Sequence, residues 1–184
     1  MPARAASRLR RAPYRRCRCI DHGPAPPRSY ASRVAARMRL LPLRLTPGQD
    51  LRRALEAILA EQEASAAFVL QGIGSLSTVQ LRLAGASQLT QLRGDFEILT
   101  LAGSLSLDGA HLHGSIADAD GHVIGGHLAT GCIIRTTAEI LVALMPGHRL
   151  TRMLDQATGS NELVIFPCDD VMDRRCDRMP DGPE

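Results

Sequence analysis

The stretch from Ala110 to Leu128 constrains the fold more than any other part of the chain, because two independent alternations in it agree on one hairpin register. Two apolar runs flank Asp118-Ala119-Asp120-Gly121, a turn signal whose glycine accepts a positive φ. If the loop is Ala119 to Gly121, Asp118 pairs with His122 and His113 faces His127. Side chains alternate faces along a strand, so His111, His113 and His127 share one face, while Leu112, Ile116, Ile124 and Leu128 share the other. A loop one residue shorter sends His127 to the opposite face from His113.

Three imidazoles on one sheet face have the composition of a metal site with an open position, for a divalent transition metal and zinc first among them. His111 and His113 alone read first as the wet face of an amphipathic strand, and with His127 in register a metal or polar ligand pocket stands level with that reading. His122, next to the turn, reads as plain surface. Glu97 and Glu139 are the candidate polar partners. Arg135 shares a parity with Glu139 and reads first as its ion-pair partner, second as a ligand contact. No nucleophile motif or adjacent base accompanies the histidines, so catalysis is left open.

The rest of the chain supports an antiparallel sheet with one main helix. Residues 38–45 read as a first strand, kept at an edge by Pro42. Thr46 to Gln49 (a capping box) and Asp50 (an N-cap) are rival helix starts, followed by Leu51, Leu55, Ile58 and Leu59 on one stripe. A buried strand over 66–71 is expected to exit at Gly72-Ile73-Gly74-Ser75, and strands over 78–83 and 88–93 to form a hairpin. The apolar parity of 94–105 changes between Ile98 and Leu99, as a bulge or burial of both faces by a neighbouring subunit requires. Residues 132–145 form another long strand, 146–162 a polar loop with a short helical turn, and 163–167 a last strand. The expected class is α+β with seven to nine strands.

Charge divides the chain. Residues 1–39 carry eleven arginines against Asp21 alone, a charge of +10, which leaves −7 on the remainder of a chain whose total is +3. A body that acidic lacks the charge of a sequence-independent DNA binder, and 3% aromatics without Trp disfavours single-strand binding by base stacking. No apolar run approaches the roughly 18 residues of a membrane span. Five scattered cysteines suggest reduced thiols in a cytoplasmic protein rather than a disulfide framework.

Residues 1–37 are Arg-rich and Pro-rich without an apolar period, so they are expected to be disordered. Three readings are open for them: a basic arm touching nucleic acid through Arg10, Arg11, Arg15 and Arg16, a transit peptide, or translated upstream sequence with Met38 as the start. The body is expected over 38–168, with a frayed tail over 169–184.

The segment Gly94-Asp95-Phe96-Glu97-Ile98-Leu99-Thr100-Leu101-Ala102-Gly103-Ser104, followed by His111-Leu112-His113 and Gly125-Gly126-His127-Leu128, resembles the plant and prokaryote conserved (PPC) domain. The resemblance runs in order from about Met38 to Cys168 and takes in Gly72-Ile73-Gly74-Ser75 and Thr137-Ala138-Glu139-Ile140. It implies an antiparallel sheet packed with a helix, a homotrimer, and His111, His113 and His127 at the metal-ligand positions of prokaryotic members. It also implies a DNA-binding or regulatory role, known for plant members that carry AT-hooks. This chain has no Arg-Gly-Arg-Pro hook, and Asp95 stands where the plant pattern usually has Arg. Two functions follow: a DNA-associated regulator, or a metal-centred ligand-binding protein or enzyme at a trimer interface.

Overall fold

Asp50 sets the start of the helix. Its backbone is extended, one carboxylate oxygen accepts the Arg53 amide at 3.1 Å, and the other accepts the Gly131 amide at 2.7 Å. Helix α1 therefore runs Leu51–Glu61. The rival signal survives as a local turn, with Gln49 Oε1 accepting from the Thr46 amide at 2.7 Å and its hydroxyl at 3.1 Å. Leu51, Leu55, Ile58 and Leu59 are all buried, each contributing on the order of 1.5–3 kcal/mol. The structure is a computed structural model and describes residues 37–167. The basic segment with Arg10, Arg11, Arg15 and Arg16, and the tail over 169–184, lie outside the described residues.

Among the described residues eight strands accompany the helix: β1 (Arg39–Leu45), β2 (Ala66–Arg82), β3 (Thr90–Ser106), β4 (Gly109–Ala117), β5 (Val123–Leu128), β6 (Ile133–Leu144), β7 (His148–Asp155) and β8 (Ser160–Pro167). Six form one sheet in the order β1-β6-β2-β3-β4-β5, β7 and β8 form a separate hairpin, and every pairing between strands is antiparallel. The six-stranded sheet curls, so that Leu81 and Arg82 at the end of β2 pair with Leu128 and His127 of β5. Pro42 does sit on the edge strand, opposite Leu141. The class is α+β, mainly antiparallel sheet with one short helix.

Three expectations are corrected. Gly72 to Ser75 is not an exit, because β2 continues through it for 17 residues and absorbs the segments read as two strands. The glycines serve close approach instead: a Cβ on Gly72 would lie 2.8 Å from Leu101, and one on Gly74 (φ +142°) 2.2 Å from the Thr137 carbonyl oxygen. The segments 88–93 and 94–105 are likewise one strand, β3, and its pairing with β4 slips between Ile98 and Thr100, where the parity change called for a bulge. Residues 146–162, read as a loop, hold β7 and the start of β8. Leu150 and Thr151 are adjacent and both buried, so no alternation marks that strand.

Candidate metal centre

The hairpin takes the register that the alternation requires. The Asp118 amide bonds the His122 carbonyl at 3.1 Å, Ile116 pairs with Ile124, and His113 pairs with His127. Leu112, Ile116 and Leu128 are at most 1% exposed, and Ile124 is half-buried against the same core. On the other face, ring centroids of His111, His113 and His127 lie 4.9 to 5.5 Å apart. The residues of β3 opposite His113 and His111 are Ala102 and Ser104, too small to fill the space the imidazoles need.

One ring nitrogen from each histidine lies within 4.8 Å of the others. His111 Nε2 and His113 Nε2 are 3.0 Å apart, and two nitrogens bound tetrahedrally at zinc–nitrogen distances would be about 3.3 Å apart. His127 Nδ1 is buried with no hydrogen-bond partner, a condition that costs on the order of 1–3 kcal/mol. Burial, then the charges of His111, Arg82, Arg52 and His113, lower His127 to a pKa of about 4. Burial also lowers His111, helped by Arg152 and His113 and opposed by Glu162. Both rings are thus neutral at pH 7, the form that binds a metal. The donor set fits a three-nitrogen site.

Residues from three other elements border the cluster. Arg52 Nη1 on α1 is 3.5 Å from His127 Nε2, and its Nε donates to Glu56 at 2.8 Å. Arg82 on β2 stands directly opposite His127. Arg152 on β7 donates to Ser104 Oγ at 2.9 Å. No sequence signal pointed to these arginines, since each reaches the cluster by a long-range contact.

The proposed polar partners are elsewhere. Glu97 lies opposite Ala117 and Ser75, five positions along β3 from Ala102. Glu139 pairs with Arg44 and Ile73 in register. Arg135 does not pair with Glu139: its guanidinium donates to Asp95 at 2.8 Å, because the β2–β3 and β2–β6 pairings bring those two strand segments to the same end of the sheet. His122 is exposed as expected. It joins Asp118 and Asp120 in a second group of possible ligands, but Asp118 is already engaged by the Asp120 and His122 amides at 3.0 and 2.8 Å and by the His122 ring at 3.2 Å. A groove of about 510 Å³ runs beside this turn, between Leu92–Phe96 and Asp118–Ile124, and excludes the three histidines. The groove and the histidine cluster are therefore separate features.

An antiparallel α+β domain with three converging imidazoles defines a class of small β-rich proteins with a potential metal site. The chain belongs to the Plants and Prokaryotes Conserved (PCC) domain family, which it matches over residues 32–146. It is 50% identical over 130 residues to the bifunctional protein GlmU of Synechococcus sp. (strain JA-2-3B'a(2-13)), covering 71% of this chain and 21% of that relative's length. A hypothetical protein from Salmonella has a similar structure, with a TM-score of 0.69, 38% identity, and 72% of this chain and 96% of that one covered. A protein from Archaeoglobus fulgidus described as metal-containing aligns with a TM-score of 0.57 and 28% identity over 68% of this chain and 93% of its own. One from Ralstonia eutropha JMP134, described as a candidate DNA-binding protein, gives 0.58 and 27% over 67% and 89%. No helix among the described residues is long and apolar enough to cross a membrane.

Proposed function

We propose that this chain is a metal-binding PCC-domain protein in which His111, His113 and His127 hold one divalent transition metal, zinc first. The observation that carries the reading is the convergence of one ring nitrogen from each of the three histidines, and His127 Nδ1, buried without a hydrogen-bond partner, supports it. The Archaeoglobus relative's description supports it. When bound, such a metal supplies Lewis acidity at a position left open by three protein ligands. The chain's own residues orient it: Ala102 and Ser104 leave room, and burial keeps His111 and His127 unprotonated. Among the described residues, Glu56, the carboxylate next to Arg52, is engaged by that guanidinium and by the Ala110 amide, and the reading is of a ligand-binding protein. Elemental analysis of the purified full chain tests it against the variant His113→Ala. Near one metal per chain, lost in the variant, is expected, and equal content in both contradicts the site.

A DNA-associated regulator is the second reading. The +10 charge of residues 1–39 and the description of the Ralstonia relative favour it, while the −7 charge of the rest opposes it. Salt-titrated binding of the full chain to duplex DNA decides this, and affinity insensitive to salt removes the basic segment from the role.

A homotrimer is proposed as the working unit. Supporting it, Leu40, Leu70, Ile73 and Leu99 are 42–56% exposed on β1, β2 and β3, apolar surface that a strand-rich monomer gains by covering. Light scattering that shows a monomer excludes it.

A further inference from the structure

The cations around the histidine cluster are at odds with a site built for a metal alone. A dication is stabilised by carboxylates, yet the charged groups that border these rings are Arg52, Arg82 and Arg152. Two carboxylates offset them in part. Glu56 is engaged by the Arg52 Nε and also accepts the Ala110 amide at 3.0 Å, and Glu162 acts on His111 from β8. Three arginines against two glutamates leave the surround cationic before any metal arrives. Adding two more positive charges is unfavourable unless an anion enters with them.

We propose that the open position at this site takes a small oxyanion, a carboxylate or a phosphate, bound jointly by the metal and by the Arg52 and Arg82 guanidiniums. The inference rests on the metal-binding reading above. The two arginines approach from different elements, the helix and the end of β2, and both reach the cluster at His127. Arg52 is half-buried and braced by Glu56, which limits the freedom it would lose on binding. Arg82 is exposed, as a group that meets an incoming ligand should be. Arg152, held on Ser104 opposite His111, adds charge from the other side. Guanidinium forks match carboxylate and phosphate oxygens in geometry as well as charge.

The test uses the full chain loaded with Co(II), whose visible bands report the coordination of the metal directly. Acetate and inorganic phosphate are titrated separately, with acetamide as the uncharged counterpart of acetate, and the same anions are added to metal-free protein in a calorimeter. The expected result is a saturable spectral change with acetate, phosphate or both, none with acetamide, and at least about ten-fold weaker anion binding in Arg82→Gln and Arg52→Gln. The cobalt spectrum before anion addition shows whether each variant still holds the metal. Which anion binds more tightly identifies the source class. A cobalt spectrum that no anion alters, equal anion affinity in the variants, or equal binding to the metal-free chain each overturns the proposal while leaving the metal site standing. Failure to bind cobalt at all overturns both readings, and is distinguished by the absent bands.

Discussion

His113 on β4 stands directly opposite His127 on β5, and the residues next to them, Leu112 and Leu128, are paired and buried on the reverse face. The histidine cluster and the core are thus fixed by one register, and a slip of one residue would exchange the two faces.

Gly103 tests how tightly β3 must approach β4 for this arrangement to hold. A Cβ there would lie 2.0 Å from the His111 carbonyl oxygen, and the backbone has φ +157°. Gly103→Ala is expected to cost more than about 3 kcal/mol and to displace His111. Urea denaturation and metal content both report it, and a variant that keeps both would show that the strands can separate without harm to the site.

The metal-free chain should lose stability as the pH falls. His127 is depressed to about 4 in the fold against 6.5 for a free imidazole, and His111 moves in the same direction. The unfolded state therefore binds protons that the native state refuses, so this contribution is complete above about 6.5 and is lost as the pH falls towards 4. Urea midpoints measured with a chelator should decline over that window, less steeply for His127→Gln. An identical decline in the variant would place the pH dependence elsewhere.

Asp108 ties the β7–β8 hairpin to the β3–β4 turn. It accepts from the Thr151 hydroxyl and from the Arg152 amide at 2.8 Å, and these bonds hold its carboxyl below the usual range. Asp108→Ala should cost about 1 kcal/mol, since the site is exposed, and should raise amide exchange at Arg152 first. Unchanged exchange on β7 would mean that Leu150 packing alone docks the hairpin.

Metal should stabilise the fold by mass action, by about 2.7 kcal/mol at a hundred-fold excess over its dissociation constant. Thermal melts with and without zinc are expected to differ for the natural chain and to coincide for His113→Ala. A shift of equal size in both would indicate binding at another place, such as the Asp118 turn.

The site's core was legible because it lies in one hairpin. A three-residue loop fixes both strands locally, and the leucines and isoleucines confirm the register that aligns the histidines. The Ile98 to Leu99 parity change located the bulge for the same reason. Gly72 and Gly74 were misread because a glycine looks the same in a sequence whether it turns the chain or admits a neighbouring strand, and here Leu101 and Thr137 lie against it. Arg52, Arg82 and Arg152 were invisible because they reach the cluster through helix docking, the curl of β2 onto β5, and a hairpin whose buried Leu150-Thr151 pair breaks the alternation. The Arg135 to Asp95 pair illustrates the same limit: parity within one strand says nothing about which strand lies alongside.

Zinc-edge X-ray absorption on the zinc-loaded full chain interrogates the three imidazoles most directly. Three histidine nitrogens at about 2.0–2.1 Å, with one lighter-atom ligand completing the shell, are expected. A shell of sulfur at about 2.3 Å, or of oxygens with fewer than two imidazoles, would place the metal outside the His111–His113–His127 cluster.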